Sequence, residues 1–151
     1  MRIGVASDHA GFPLKSTVIE TVKNSGHEVI DFGTDNAEKR VDFPDFAEKA
    51  ARALQQKSID RAILICGSGV GVCISANKFK GVYAAICHDI YSAHQGVEHD
   101  NMNALCLGGR IIGPEPASEI VKAYLAAEFI EDPRFINRVQ KIKNFEKQEK
   151  E

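Results

Sequence analysis

Residues 61–72 read Arg61-Ala-Ile-Leu-Ile-Cys-Gly-Ser-Gly-Val-Gly-Val72. Four apolar residues, Ala62 to Ile65, run into Cys66 and then into glycine at 67, 69 and 71. A short apolar run ended by glycines reads as a buried parallel strand that stops at a tight turn. A helix over Val70 to Phe79 is predicted to follow. Glycines let backbone N–H groups converge on one point, and the start of a helix adds partial positive charge there. The turn Gly67-Ser68-Gly69-Val70-Gly71 is therefore suited to an anion, with the Cys66 thiol at its mouth. It is not a P-loop, because no Lys-Ser/Thr follows, and Val72 breaks the dinucleotide fingerprint. On the glycines alone, a tight connection that binds nothing remains an open alternative.

Outward from this stretch, strands alternate with helices. Arg2–Ala6 reads as a strand ending in the polar turn Ser7-Asp8-His9-Ala10-Gly11. A helix from Phe12 carries Leu14, Val18 and Val22 on one face and ends at Gly26. Glu28–Phe32 is a second strand, and residues 33–42 form a polar loop. Pro44 opens a second helix with Ala47, Ala51 and Leu54 on its core face. Val82–Ile86 is a fourth strand, and Asp89 caps a helix running to Val97. The polar cluster Glu98 to Asn103 reads as a loop before strand five, Ala104–Leu107, which ends at Gly108-Gly109-Arg110. Helices over Ala117–Phe129 and from Pro133 complete the chain. This alternation predicts an α/β fold with a five-stranded parallel sheet in one domain, residues 1–151, with a frayed charged tail at 146–151.

The 151 residues, 26% charged with a net charge of −2, fit one globular domain and give no basic surface for nucleic acid. No membrane span or signal peptide is read, so the cytoplasm is the expected location. Cys66, Cys73, Cys87 and Cys106 form no Cys-x-x-Cys pair, so no metal site is predicted. Three are read as small buried hydrophobes, and only Cys66 is placed where a helix start lowers a thiol's pKa.

Ligands of parallel sheets bind beyond the carboxyl ends of the strands. That edge is predicted to carry Asp8, His9, Cys66 with its turn, and Arg110; His99 is placed less securely by sequence. Taken singly, Asp8 reads as a helix cap and His99 with Asp100 as loop residues. His27, His88 and His94 have no evident acid–base partner. Arg134 and Arg138, four apart on the last helix, form either a solvated face or a two-pronged phosphate clamp. Together, a thiol, two histidines, a carboxylate and paired arginines point to proton transfer on a small phosphorylated substrate. No nucleotide fingerprint or metal constellation accompanies them.

These residues carry a resemblance. Ser7-Asp8-His9-Ala10-Gly11, Asp42-Phe43-Pro44, Ile65 to Gly71, Ala76-Asn77-Lys78, Tyr91-Ser92-Ala93, Leu107-Gly108-Gly109-Arg110 and the Arg134/Arg138 pair match motifs across nearly the whole chain. The chain resembles the ribose-5-phosphate isomerase B family, which also contains galactose-6-phosphate isomerase subunits. The resemblance implies a Rossmann-like three-layer α/β/α sandwich and a metal-independent, cofactor-free aldose–ketose isomerase working through a cis-enediol. It implies Cys66 as the base, since Cys73-Ile74-Ser75 lacks the glutamate of another branch. It implies the 67–71 turn as the enediolate site and Asp8 with His99 as the ring-opening pair. His9, Arg110, Arg134 and Arg138 match phosphate-binding positions. It further implies homodimers or dimers of dimers with shared active sites.

Two departures, Phe43 for a common Tyr and His99-Asp100-Asn101 for His-Asn-Asp, bear on the sugar, through contacts to its hydroxyls, more than on the reaction. The expected substrate is ribose 5-phosphate, within the pentose phosphate pathway. A hexose 6-phosphate (allose or galactose) and a non-catalytic nucleotide-binding module are the alternatives.

Overall fold

The structure, a computed structural model, describes residues 1–149. Five strands, β1 (Arg2–Ser7), β2 (Glu28–Asp31), β3 (Arg61–Cys66), β4 (Ala84–Ile86) and β5 (Ala104–Gly108), form one parallel sheet in the order β2-β1-β3-β5-β4. Six helices connect or follow them: α1 (Phe12–Asn24), α2 (Phe43–Gln55), α3 (Val70–Ala76), α4 (Ile90–Asp100), α5 (Pro114–Ala126) and α6 (Pro133–Gln148). The predicted α/β sandwich is the observed one. The strand order reverses between β1 and β3, which opens a crevice at their carboxyl ends.

Side-chain alternation along the strands divides the core. Ile3, Val5, Ile63, Ile65, Leu105 and Leu107 face one side, with Leu14, Val18 and Val22 of α1, Val97 of α4, and Ile120 and Tyr124 of α5. Each large aliphatic side chain so buried contributes about 1.5–3 kcal/mol. Ala6, Ala62, Leu64, Cys66, Ala104 and Cys106 face the other side, against Ala47, Ala50 and Ala51 of α2 and Val72 and Ala76 of α3. The second face is built mainly from small residues.

Several boundaries differ from the sequence reading. The predicted loop at 98–103 begins inside α4, which reaches Asp100 before Asn101 takes a left-handed conformation with φ 56°. His99 and Asp100 therefore stand on the last helical turn. α3 stops at Ala76, because the Asn77 side chain is drawn to the backbone of Ala84 at 2.9 Å through both its amide nitrogen and its carbonyl oxygen. β4 starts two residues after the predicted Val82, since the Tyr83 N–H donates to the Asn103 side chain rather than to a strand. α5 begins at Pro114, whose fixed φ suits a first helical position. Residues 146–148 of the expected frayed tail are helical; Lys150 and Glu151 lie outside the described residues.

Candidate active site

The carboxyl end of β1 delivers Asp8 and His9. Asp8 is buried, and its Oδ1 accepts the Gly11 N–H at 2.9 Å, closing the turn that starts α1. His9 Nδ1 accepts the Val41 N–H at 3.2 Å, so the ring proton sits on Nε2. The 33–42 loop thus orients a histidine that sequence placed beside the cleft without a support.

The carboxyl end of β3 delivers the thiol and its turn. Cys66 is 4% exposed, and its Sγ accepts the Gly69 N–H at 3.1 Å. Gly69 has φ 82°, a conformation that side-chain-bearing residues rarely adopt, and it caps α3. The Val70 N–H donates to Ser68 Oγ at 3.2 Å. Two of the turn's donors are thus engaged, one of them on the sulfur itself. The segment after β5 zips onto this turn: Gly109 N–H donates to the Cys66 carbonyl at 2.8 Å and Arg110 N–H to the Gly67 carbonyl at 3.0 Å. The Arg110 side chain then lies against Gly67; a Cβ there would meet Cδ and Nη1 at 3.5 Å.

Asp8, His9, Cys66, Gly67, Ser68, Gly71 and Arg110 surround a cleft of about 400 Å³, walled on its apolar side by Phe43 and Ile111. The Phe43 ring packs on the bare backbone of Gly71, where a Cβ would come within 2.7 Å of the ring. A thiol, a buried carboxylate, an imidazole N–H and a guanidinium thus converge on one space of metabolite size.

The remaining predicted residues lie elsewhere in the same chain. The carboxyl end of α4, with His99 and Asp100, leads into the start of β5, at the opposite edge of the sheet. His99 stacks on Phe135 of α6 with ring centroids 4.2 Å apart. Gln95 Nε2 lies 3.2 Å from both His99 Nδ1 and Asp100 Oδ2. Arg134, with its side chain 71% exposed, pairs with Asp132 at 3.0 Å and shares α6 with Arg138. None of His99, Asp100, Arg134 or Arg138 lines the Cys66 cleft.

One cysteine, Cys73, differs from its sequence reading as a buried hydrophobe. Cys87 and Cys106 are buried, and burial pushes the Cys87 thiol up to about 11. Cys73 is only half-buried, and a thiol–thiol hydrogen bond with Cys106 brings it down to about 7 against the opposing effect of burial. Its packing role is thus joined by an ionisable thiol that sequence assigned to Cys66 alone. His94 and His88 likewise gain partners: His94 Nδ1 lies 3.0 Å from Glu98, and His88 Nε2 accepts the Gly108 N–H at 2.9 Å. The four-residue spacings of Gln95 to His99 and His94 to Glu98 were visible in the sequence and become contacts once α4 extends to Asp100. The His88 contact, across 20 residues, has no local signal.

Among the described residues, no group of three or more His, Cys, Asp or Glu is placed to hold a metal ion. No described helix is long and apolar enough to cross a membrane.

A switch-point cleft that gathers a thiol, a carboxylate, an imidazole and a guanidinium suits a class, the sugar-phosphate isomerases built on a parallel sheet. The chain belongs to the Ribose/Galactose Isomerase family, whose model matches residues 3–142. It is 42% identical to the ribose-5-phosphate isomerase B of Escherichia coli over 93% of each chain. It is 40% identical to the D-erythrulose-4-phosphate isomerase of Pectobacterium atrosepticum, over 99% of this chain and 98% of that one. The structure of ribose-5-phosphate isomerase B from Mycoplasma genitalium with bound ribulose 5-phosphate superposes with a TM-score of 0.90 at 41% identity, covering 97% and 96% of the two chains. The chain is accordingly an enzyme, a sugar-phosphate isomerase, and the nucleotide-binding alternative is set aside.

Proposed function

We propose that the enzyme interconverts ribose 5-phosphate and ribulose 5-phosphate at the Cys66 cleft. The convergence of the thiol, the glycine turn, Asp8, His9 and Arg110 carries this reading. Cys66, as thiolate, takes the proton from C2 of the open-chain aldose. The C–H electrons form the C1=C2 bond, and the carbonyl oxygen becomes an enediolate oxygen facing the 67–71 turn. Preorganised N–H donors at such a position are typically the largest single contribution to rate. The thiol returns the proton to C1, and the proton of the C2 hydroxyl passes to the enediolate oxygen on C1, which leaves a ketone at C2 and a hydroxyl at C1. The Gly69 N–H on the sulfur supports the negative charge of the base.

Asp8 and His99 are assigned to ring opening. His9, Arg110, Arg134 and Arg138 are assigned to the phosphate, and Asp100 to a sugar contact. Because His99, Asp100 and the arginine pair sit away from the cleft of their own subunit, the assignment requires a homodimer in which the partner supplies them. Exposed Val70 and Ile74 on α3, and Ile90 and Tyr91 on α4, are apolar side chains available to such a contact. A cytoplasmic location accords with this role.

The 40% identity to an erythrulose-phosphate isomerase favours a second reading, the same proton transfer on a four-carbon phosphate. Initial rates on tetrose, pentose and hexose phosphates decide between them; ribose 5-phosphate should give the highest kcat/KM, and a higher value for another sugar would displace the first reading.

Complementation tests the shared site. Cys66→Ala and His99→Ala homodimers should each be nearly inactive, whereas random co-refolded mixtures should recover roughly a quarter of wild-type activity, from half the dimers carrying one intact site. Isolated mixed dimers that remain dead would return both residues to one chain or remove one from the chemistry.

A further inference from the structure

The end of β5 is held by a side chain standing in for a strand. β4 and β5 pair in register from Ala84↔Ala104 to Ile86↔Cys106, and the ladder continues for one more bond, Cys87 N–H to the Cys106 carbonyl at 3.3 Å. In a parallel ladder the next donor on that side is Gly108 N–H, and its acceptor would be the Cys87 carbonyl. The chain instead turns away at Asp89 to start α4, and the Gly108 N–H donates to His88 Nε2 at 2.9 Å. On its other side Gly108 pairs with Cys66 and abuts the turn so closely that a Cβ would sit 2.7 Å from the Ser68 carbonyl carbon. The next two residues bond to the Cys66 and Gly67 carbonyls, and the second of them is Arg110.

We propose that His88 is a positioning residue of the active site: its neutral imidazole replaces the missing strand carbonyl and, through Gly108, fixes Arg110 and the Cys66 turn in register. The proposal rests on the reading of the Cys66 cleft as the active site. The acceptor role requires Nε2 to be unprotonated and the ring proton to sit on Nδ1. A protonated ring has no acceptor and would set an N–H against the Gly108 N–H. The charged groups facing the ring are Asp89 on its own segment and Glu115 and Glu119 of α5 across a shared cavity. All are acids that favour protonation, yet burial outweighs Asp89 and moves the His88 pKa below its ordinary value. The unfolded chain therefore binds this proton more readily, so the bond is intact at neutral pH, its contribution to stability declines as pH falls below the ordinary histidine value, and the bond itself is lost when pH falls through the lower folded value.

His88→Gln and His88→Phe separate the acceptor from the shape, since a glutamine carbonyl reaches the Nε2 position and a phenyl ring does not accept. Gly108 amide exchange and the pH profile of kcat/KM are the readouts. His88→Phe should exchange Gly108 faster and lose roughly tenfold in kcat/KM. His88→Gln should stay within about threefold of wild type and move the acid fall-off of both readouts to lower pH. Equal losses in the two variants, or wild-type exchange in His88→Phe, would overturn the proposal. So would faster exchange with unchanged kcat/KM. In that case, an inactive Cys66→Ala would leave the reading of the cleft standing, whereas an active one would remove that reading as well.

Discussion

Replacing Cys66 by Ala removes one sulfur atom from the molecule and little else. The residue is 4% exposed, ends a central strand and packs among small side chains, so alanine keeps its Cβ and its backbone bonds. The lost packing costs about 1 kcal/mol, which for a domain of this size lowers Tm by about 2–4 °C. The substitution also leaves the buried Gly69 N–H without its sulfur acceptor. The catalytic loss is of another order: a positioned proton-transfer group contributes about 100- to 10,000-fold, equivalent to roughly 3–5 kcal/mol of barrier. Initial rates and a thermal melt of the purified variant give both numbers. A supporting arm is alkylation by iodoacetamide, from which substrate should protect the enzyme. It requires a Cys73→Ala background, because the hydrogen bond from Cys106 brings the Cys73 thiol down to about 7 and makes it a second target for the reagent. That background enzyme should itself be nearly as active as wild type. A Cys66→Ala enzyme within tenfold of wild type would refute the assignment of the base.

Arg134→Ala or Arg138→Ala should lower kcat/KM for ribose 5-phosphate by about 10- to 150-fold while affecting unphosphorylated sugars much less, as loss of a charge-assisted contact predicts; equal losses on both substrates would make the arginines structural. Gly11→Ala places a Cβ 2.3 Å from the Ile65 carbonyl oxygen, a backbone atom held in the sheet. The strain should cost about 2–3 kcal/mol and lower Tm by roughly 5–10 °C, and an unshifted melt would contradict the close approach.

The fold was legible because its signals are local. Apolar runs of four or five residues, each ended by glycine or a polar turn, locate the central strands, and their alternation with helical periodicity specifies a parallel sheet. The errors fall where one side chain acts on distant backbone. Asn77 and Asn103 tether the segment before β4, which shortens both α3 and the strand. The polar stretch 98–103 hides a last helical turn because Asn101, rather than an apolar residue, ends α4. Asp8, His9, Cys66 and Arg110 were legible because they sit at strand ends, which the topology gathers at one edge. The support of His9 by Val41 and of Gly108 by His88 was not, since each joins residues 20 or more positions apart.

The two faces of the sheet leave different room for sequence drift. On the side of α1, α4 and α5, the strands present Ile, Val and Leu, and exchanges among large aliphatic residues conserve volume there. On the side of α2 and α3, alanines and cysteines bring helix and sheet backbones close together, so an added methylene has nowhere to go. Cys66 belongs to this second face. The Cys66 thiol therefore inherits a neighbourhood that resists enlargement, and change near the cleft is channelled to its open rim, at Phe43 and Ile111, where new side chains meet the cleft before they meet the core.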